Sequence, residues 1–286
     1  LLQFGTHLVS KRLQAFIDQH CWEQFWLIHP GSTPLAPGRN QTHFFSADIE
    51  SWSRQQLANL EQLSDLPLHT ETHRILFAQQ QRYAKQLAKQ LSTEQHPQLS
   101  ELAVSYQLLV NTPEQSWIFA GNSLSIRMLD LIGGDLRGHP RLFANRGASG
   151  IDGLLSTAVG CGLASQLPGT LLMGDYSLLY DLNALALLRD YSLPLVVIVL
   201  NNDGGGIFQM LPIASETLRQ QYYQRPHGLK FEHACTLFQI RYYHPISLRD
   251  FIVHYQKSIT SNGPCVIEIS ADAKVTAQQI YELTSG

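Results

Sequence analysis

Two short polar motifs stand at the ends of apolar stretches in the second half of the chain. Gly174-Asp175 follows the stretch 170–173, and Asn201-Asn202 follows the stretch 195–200. Both stretches read as buried strands, and the segment 178–191 between them predicts a crossover helix. A right-handed crossover makes the two strand ends neighbours. The sequence therefore predicts a carboxylate beside an amide, with glycine backbone next to them.

Such a group of oxygen atoms suits a hard divalent cation. Mg²⁺ prefers octahedral oxygen ligands and usually keeps phosphate oxygens and water in its shell. The Asp175 carboxylate, the Asn202 side-chain oxygen and the Gly204 carbonyl would supply three protein oxygens. Diphosphate oxygens and water would complete the shell. The sequence thus predicts a site for Mg²⁺, or Mn²⁺, that also holds a diphosphate.

Alternating strands and helices must position these motifs. Strands are predicted at 117–120, 142–144, 170–173, 195–200 and 265–269. Helices are predicted at 101–110, 124–132, 152–165, 178–191 and 248–257. This order predicts an α/β fold with a doubly wound parallel sheet covered on both faces. Ligands of such sheets bind beyond the carboxyl ends of the strands, where the glycine turns lie.

The first hundred residues contain smaller pieces. Strands are predicted at 2–4, 24–29 and 42–45, and a helix at 11–19. A Gln- and Leu-rich linker and a long helix follow, and Pro97 is predicted to end that helix. The strand set is too small to close a sheet, and the chain opens without Met inside a strand. We therefore expect a C-terminal portion of a longer protein.

Composition excludes several classes of function. The chain of 286 residues has 44% hydrophobic and 15% charged residues and a net charge of -3. A net negative charge does not favour binding to nucleic acid or to an anionic membrane. The longest apolar run is far too short to span a bilayer. The four cysteines are scattered without a CxxC pair, and no signal peptide is visible. We expect a cytoplasmic protein.

The Gly-Asp-x-Ser motif, the crossover helix and the Asn-Asn pair are similar to the cofactor motif of thiamine diphosphate enzymes. Longer stretches resemble one branch of that family, the 2-succinyl-5-enolpyruvyl-6-hydroxy-3-cyclohexene-1-carboxylate synthases of menaquinone biosynthesis. These stretches are 121–127, 145–157, 180–185, 201–212 and 231–234. Tyr176 stands where most thiamine diphosphate enzymes have a second glycine, and this branch also lacks that glycine.

The resemblance implies a transferase activity. Enzymes of this branch decarboxylate 2-oxoglutarate on the thiazolium ring of the cofactor and add the succinyl carbanion to isochorismate. Their catalytic Glu belongs to an N-terminal pyrimidine-binding domain, and the active site forms with a partner subunit of a homo-oligomer, a dimer or a tetramer. No segment of this chain resembles that domain. We therefore expect these residues to bind Mg²⁺-diphosphate weakly and not to turn over alone.

The resemblance also implies a division into three parts. Residues 1–55 correspond to the C-terminal part of a middle domain, and residues 56–98 to a linker and helix. Residues 99–286 correspond to the diphosphate- and metal-binding domain.

Roles for individual residues follow from the same resemblance. Those implied in cofactor binding are Gly174, Asp175, Tyr176, Ser177, Asn202, Ile207, Phe208 and Leu211. Ile207 matches the bulky apolar residue that keeps the cofactor bent, and Ser177 and Gly174 are expected to hold diphosphate at a helix N-terminus. Those implied in binding the substrates' carboxylates are Ser123, Arg127 and Arg146.

Other readings stay open at this point. One is a different thiamine diphosphate enzyme, such as an oxo-acid decarboxylase or acetohydroxyacid synthase, and Tyr176 and the two arginines argue against it. Another is a non-catalytic module that keeps only the cofactor fold. A dinucleotide site is disfavoured, because no GxGxxG motif follows a strand. Lys11 and Arg12 are predicted to begin a solvated helix, and the twelve histidines show no metal-ligand spacing.

Overall fold

The computed structural model describes all residues except 7, 9, 33–42, 61–69, 93–98, 134–139 and 285–286. The described residues divide into two units, 1–79 and 80–286. Within the described residues, no helix combines the length and the apolar character that crossing a bilayer requires.

The first unit contains a small parallel sheet. Its elements are β1 (Leu2–Phe4), α1 (Lys11–Gln19), β2 (Trp26–His29), β3 (His43–Ser46) and α2 (Ile49–Leu60), and α3 (Thr70–Leu91) begins in it. The strands pair in the order β1-β2-β3. Ser10 caps α1 by accepting a hydrogen bond from the Leu13 amide, and the Arg12 side chain is exposed, as predicted.

The second unit contains the larger sheet. Its strands are β4 (Trp117–Ala120), β5 (Arg141–Phe143), β6 (Gly169–Gly174), β7 (Leu195–Asn201), β8 (Arg241–Tyr243) and β9 (Pro264–Ser270). Its helices are α4 (Glu101–Asn111), α5 (Leu124–Ile132), α6 (Leu154–Ser165), α7 (Asp175–Tyr180), α8 (Glu216–Leu218), α9 (Glu232–Leu237), α10 (Leu248–Ile259) and α11 (Ala273–Thr284). Short 3₁₀ turns cover Leu182–Leu188 and Gly206–Met210.

All pairs in this sheet are parallel, and its order is β5-β4-β6-β7-β9-β8. The central strand β7 is buried along its whole length, with alternate side chains in two different cores. Val196, Ile198 and Leu200 pack with α4 and α10, whereas Val197 and Val199 pack with α6. Helices therefore cover both faces, which confirms the predicted doubly wound α/β fold.

The prediction of one continuous helix at 178–191 is wrong. Helix α7 begins at Asp175 and ends at Tyr180, and a 3₁₀ turn follows at Leu182–Leu188. The break falls at Asp181, whose backbone leaves the helical conformation while its side chain binds another segment. Pro97 lies outside the described residues, and α3 ends at Leu91.

Close packing at the start of β6 gives a test of this sheet. A Cβ added to Gly169 would overlap the indole of Trp117, a side chain with no exposed surface. We predict that Gly169→Ala lowers the free energy of unfolding by about 1–3 kcal/mol, because a rigid buried ring must move.

Gly160→Ala is the matched control. Gly160 lies in helix α6, and a Cβ there would meet nothing within 4 Å. This substitution should leave stability unchanged or raise it by up to about 1 kcal/mol, since alanine favours a helix over glycine. Denaturant unfolding of both variants measures the difference, and equal stabilities would contradict the packing at Gly169.

Candidate functional site

The register of two neighbouring strands brings the two polar motifs together. Gly174 at the end of β6 pairs with Leu200 near the end of β7. Strand β7 continues to Asn201, so Asp175 and Asn202 are the first residues beyond the two strand ends. Asp175 and Asn202 are 2% and 8% exposed and line a common cavity. The side-by-side carboxylate and amide expected from the sequence are thus present.

Asp175 is a buried carboxylate held by backbone amides. Its Oδ1 accepts a hydrogen bond from the Tyr176 amide at 2.6 Å, and its Oδ2 accepts one from the Gly204 amide at 2.8 Å. The Nε2 of His227 lies 3.2 Å from the same Oδ2. Burial raises the pKa of Asp175, while these hydrogen bonds and the imidazole lower it in part. A desolvated anion at this edge of the sheet favours a nearby cation.

Asn202 presents one satisfied and one unsatisfied polar atom. Its Nδ2 donates to Glu101 Oε1 at 2.9 Å, whereas its buried Oδ1 has no hydrogen-bond partner among the described residues. Glu101 is itself 1% exposed, and burial raises its pKa to about 7. Buried polar atoms without partners are rare in folded proteins. An unpartnered amide oxygen beside a carboxylate is the arrangement that a hard cation would complete.

Gly204 supplies backbone that approaches closely. Its φ is +128°, and an added Cβ would overlap the carbonyl group of Gln224. The Gly204 carbonyl accepts a hydrogen bond from the Gly206 amide at 3.0 Å, so one of its two lone pairs stays open. The preceding Asp203 is exposed, and its Oδ1 accepts from the amides of His227 and Gly228 instead.

The cavity has a volume of about 210 Å³. Its lining residues come from the segments that follow β4, β5, β6 and β7, with Leu200 near the end of β7, and from the start of α4. They are Glu101, Asn122, Ser123, Leu124, Ser125, Ile151, Gly174, Asp175, Tyr176, Ser177, Leu200, Asn202, Gly204, Gly205, Gly206, Ile207 and Phe208. All predicted cofactor and metal residues are among them except Leu211. Leu211 follows the 3₁₀ turn and is 40% exposed.

Asn201 has a structural role on the opposite face of β7. Its Nδ2 donates to Glu268 Oε1 at 2.7 Å and to the Leu229 carbonyl at 2.9 Å. Glu268 has no exposed surface, and its Oε2 accepts from the Phe231 amide and the Tyr242 hydroxyl. Successive side chains of a strand point to opposite faces. Of the Asn-Asn pair, only Asn202 therefore lines the cavity.

Each predicted arginine contacts the turn after β4, although only Ser123 of the three predicted substrate-binding residues lines the cavity. Arg127 Nη1 donates to the Ser123 carbonyl at 2.6 Å, and Arg146 Nη1 lies 3.3 Å from Asn122 Oδ1. Ser123 has φ +70°, which is unusual for a residue with a side chain and often marks a functional turn. Neither arginine forms an ion pair with a carboxylate in the part of the chain that the structure describes. Both guanidinium charges are therefore free for an anionic ligand.

The helix whose N-terminus was expected to hold diphosphate is shorter than predicted. Helix α7 has six residues, and Asp175 itself is its first residue. A single turn and a half carries only a weak dipole, and a carboxylate at its start opposes a second anion. The prediction of one long helix was wrong, because the helix breaks at Asp181, whereas the predicted neighbouring of the two strand ends is confirmed. Ser177 is buried in this helix and keeps its place in the cavity lining.

Three residues at this site had no predicted role. Glu101 was identified only as the start of a helix, and His227 as one of twelve histidines without ligand spacing. Asp181 lies in a stretch that carries the family resemblance, which was the one available signal. Its Oδ1 accepts from the Gly153 amide at 2.6 Å and its Oδ2 from the Leu155 amide at 2.9 Å. Asp181 thereby satisfies free amides at the start of α6.

The set of candidate ligands indicates the kind of metal. Among the described residues, no three or more His, Cys, Asp or Glu side chains are grouped to hold an ion. The candidate ligands are instead the carboxylate of Asp175, the amide oxygen of Asn202 and a backbone carbonyl. Such oxygen donors suit Mg²⁺ or Mn²⁺ and do not suit the thiolate or imidazole sites of zinc.

Comparison with known families defines the class of protein. A family model described as "Middle domain of thiamine pyrophosphate" matches residues 1–120. A second model, "Thiamine pyrophosphate enzyme, C-terminal TPP binding domain", matches residues 135–269. The second match contains the carboxyl ends of β6 and β7 and thus the candidate site. The chain belongs to the thiamine pyrophosphate enzymes.

Individual relatives show which branch of the thiamine pyrophosphate enzymes the chain resembles. A protein of Photobacterium profundum named 2-succinyl-5-enolpyruvyl-6-hydroxy-3-cyclohexene-1-carboxylate synthase is 40% identical over 283 residues, which are 99% of this chain and 47% of the relative. Proteins of the same name from Aeromonas salmonicida and Shewanella halifaxensis are 38% and 34% identical, over 99% and 100% of this chain and 48% of each relative. The predicted resemblance to this branch is confirmed. The chain spans about half the length of the curated relatives it matches.

The three-part division predicted from the sequence stays a prediction. The match to the middle domain extends to residue 120, whereas the two structural units meet between residues 79 and 80. These two limits differ from each other, and neither tests the predicted boundaries at residues 55 and 98.

Asp181 gives a test of how the start of α6 is held. We predict that Asp181→Asn lowers the free energy of unfolding by about 1–3 kcal/mol, because an amide cannot accept from both backbone amides at the start of α6. Asp190→Asn, at an exposed position nearby in sequence, should change stability by less than about 0.5 kcal/mol. Thermal unfolding of both variants checks this. An equal, small effect of the two substitutions would show that Asp181 does not hold α6.

Proposed function

We propose that this chain holds the diphosphate and the divalent cation of thiamine diphosphate in a 2-succinyl-5-enolpyruvyl-6-hydroxy-3-cyclohexene-1-carboxylate synthase. The observation that carries the proposal is the pairing of Asp175 with the unpartnered Oδ1 of Asn202 in one buried cavity. The match to a thiamine pyrophosphate-binding domain over this region supports it. The enzyme would be a transferase of menaquinone biosynthesis with 2-oxoglutarate and isochorismate as its substrates.

Three oxygens of this chain would hold Mg²⁺ or Mn²⁺. They are a carboxylate oxygen of Asp175, Oδ1 of Asn202 and the Gly204 carbonyl oxygen. Support comes from the burial of both side chains and from the lone pairs that their hydrogen bonds leave open. A cation here would offset the cost of burying the Asp175 carboxylate. It would also hold the diphosphate, whose own charge needs such compensation.

The remaining lining residues would shape the place of the cofactor. Gly174, Tyr176 and Ser177 lie at the start of α7, where the Ser177 hydroxyl and backbone amides would donate to diphosphate. Ile207 and Phe208 form an apolar wall that would support the bent cofactor and exclude water. Leu211 would extend this wall, although it is more exposed than the other two. When bound, thiamine diphosphate supplies an electron sink that allows a 2-oxo acid to lose carbon dioxide.

The turn after β4 would bind the substrates. Arg127 and Arg146 contact this turn from two sides, through Ser123 and Asn122. Their guanidinium groups would pair with the carboxylates of 2-oxoglutarate and isochorismate, since a planar fork matches a carboxylate. Ser123 would add a hydroxyl contact. Its strained backbone supports a role in the site, because strain persists where function requires it.

We further propose that the active assembly is a homo-oligomer, a dimer or tetramer in the cytoplasm. Its catalytic Glu would come from a pyrimidine-binding domain of a partner subunit. The basis is the resemblance to this branch and the relatives' length, of which this chain spans 47% or 48% in the three cases given. The four free cysteines agree with a reducing compartment. By itself the chain would bind the cofactor weakly and would not turn over.

The proposed cation site predicts a binding defect. Calorimetric titration with Mg²⁺ and thiamine diphosphate should show binding by the wild-type chain, weakened at least tenfold in Asp175→Ala. The reason is that this substitution removes the only charged ligand. Asp190→Ala removes an exposed carboxylate and is the control, which should bind as the wild type does. Equal binding by the wild type and Asp175→Ala would refute the metal assignment.

The proposed anion contacts predict a kinetic defect in the full-length protein that carries this chain. Arg146→Lys and Arg127→Lys should each raise the KM for 2-oxoglutarate or isochorismate about tenfold or more, because an ammonium group cannot replace a bidentate guanidinium. Arg189→Lys alters an exposed arginine and should leave both KM values unchanged. Steady-state kinetics with each substrate varied in turn gives the answer. Unchanged KM values in both site variants would argue against these contacts.

The same assay separates this enzyme from a general 2-oxo-acid decarboxylase. A synthase of this branch should consume 2-oxoglutarate rapidly only when isochorismate is present. Equal rates with and without isochorismate would favour the decarboxylase.

A further inference from the structure

The Asn202 amide is fixed on two sides by groups of the protein. Its Nδ2 donates to Glu101 Oε1 at 2.9 Å. On another side, a Cβ added to Gly206 would lie 2.7 Å from Asn202 Cγ, so bare backbone packs against the amide. Glu101 is the first residue of α4 and is 1% exposed. The amide therefore has little freedom inside the fold.

The chemistry of Glu101 decides which way the amide faces. The oxygen and nitrogen of a side-chain amide are nearly equal in size, so packing alone does not distinguish the two orientations. In its ionised form the Glu101 carboxylate only accepts hydrogen bonds, and the Asn202 amide oxygen also only accepts. Turning the Asn202 amide over would place two acceptor oxygens together and bring its NH₂ group to the place of Oδ1. Glu101 therefore favours the orientation in which Oδ1 stays unpartnered.

The second oxygen of Glu101, Oε2, is also buried and has no hydrogen bond of normal geometry among the described residues, although the Thr276 hydroxyl lies near enough to lower the pKa of Glu101 in part. Burying a carboxylate without full hydrogen bonding destabilises a fold, and a second buried carboxylate, Asp175, lines the same cavity. Both costs fall if a divalent cation binds beside them. The arrangement is thus unfavourable for stability alone and favourable for a cation site.

We propose that Glu101 is a positioning residue of the cation site, which fixes the Asn202 amide with Oδ1 available to the metal ion. The inference rests on the proposed function, because Asn202 is a ligand only if a cation binds there. Glu101 itself does not ligate the ion. Partners of metal ligands commonly contribute a factor of 10–100 to metal affinity by orienting those ligands.

A pair of substitutions separates positioning from charge. Glu101→Gln keeps an oxygen that can accept from Asn202 Nδ2, whereas Glu101→Met fills similar space without an acceptor. In Mg²⁺ titrations with thiamine diphosphate present, we expect Glu101→Met to weaken Mg²⁺ binding at least tenfold. We expect Glu101→Gln to stay within about threefold of the wild type, since orientation is kept. Glu114→Met, at an exposed position, is the control and should bind normally.

Equal weakening in the Gln and Met variants would overturn the proposal, because charge and not orientation would then matter. Normal binding by Glu101→Met would also overturn it. Thermal unfolding and circular dichroism of each variant show whether the fold is kept. If Glu101→Met proves unfolded, Mg²⁺ binding by the Gln variant and the side-chain exchange of Asn202 in the wild type and the Gln variant still decide.

A double-mutant cycle tests whether Glu101 acts through Asn202. In an Asn202→Ala background, Glu101→Met should cause no further loss of Mg²⁺ affinity, since no amide remains to be oriented. A second, additive loss would overturn the inference.

A measurement without metal tests the contact itself. In nuclear magnetic resonance spectra of the metal-free protein, the Asn202 side-chain NH₂ should exchange slowly with solvent. The protection should persist in Glu101→Gln and disappear in Glu101→Met. Rapid exchange in the wild type would overturn the proposal.

The two proposals fail in different ways. If Asp175→Ala binds Mg²⁺ as the wild type does, the proposed cation site is wrong. If Asp175→Ala loses binding and Glu101→Met keeps it, only the role of Glu101 is wrong. If the wild-type chain shows no Mg²⁺-dependent binding of thiamine diphosphate at millimolar concentrations, both are overturned.

Discussion

The site depends on the parallel register of β6 with β7. Because Gly174 pairs with Leu200 and β7 ends one residue later at Asn201, the two strand ends lie within one residue of each other, and Asp175 and Asn202 are the first residues beyond them. The Gly204 amide then donates to Asp175 Oδ2, which ties the turn after β7 to the start of α7. A shift of one residue would move every side chain of β7 to the other face of the sheet. Such a shift would remove Asn202 from the cavity and expose half of the apolar side chains that secure the strand in two cores.

The end of β7 shows how one sequence motif serves two purposes. Asn201 and Asn202 point to opposite faces, and each amide donates to a buried glutamate, Glu268 and Glu101 respectively. Glu268 has its oxygens satisfied by further donors from the segment after residue 228, so that pair stabilises the fold. Glu101 has an oxygen without a partner in the described chain. The first pair is a completed polar network, whereas in the second pair a cation bound to Asn202 Oδ1 would satisfy the amide oxygen that also lacks a partner in the described chain.

Much of the fold and of the candidate site could be predicted from the sequence, because these features depend on local sequence patterns. Continuous apolar runs bounded by glycine identify the central strands, and α5 and β4 begin and end where the sequence predicts. The proximity of Asp175 to Asn202 could be predicted because consecutive parallel strands joined by one crossover are often neighbours, as β6 and β7 are. The predictions that failed concern features that depend on contacts between residues far apart in the sequence. The break at Asp181 arises because its carboxylate binds amides 26 and 28 residues away, and nothing in residues 178–191 reveals this.

The roles of Glu101 and His227 were hidden for the same reason. Glu101 lies 101 residues from Asn202 and His227 lies 52 residues from Asp175, and only the packed sheet brings them together. A glutamate in the first turn of a helix ordinarily interacts with the free amides there, so its sequence position gave no reason to expect a buried contact with a ligand. For Leu211 the resemblance implied more than the structure shows. It implied a residue in the wall of the cofactor site, and the structure leaves this side chain 40% exposed.

Diffraction from crystals grown with Mn²⁺ and thiamine diphosphate would test the central claim most directly. Anomalous scattering locates Mn²⁺ without assumptions about the protein. The account predicts a peak at coordination distance, about 2.1 Å as for Mg²⁺, from an Asp175 carboxylate oxygen and from Asn202 Oδ1, with the Asn202 nitrogen still bonded to Glu101. A bound ion that contacts neither side chain, or an Asn202 amide turned with its nitrogen toward the ion, would contradict it.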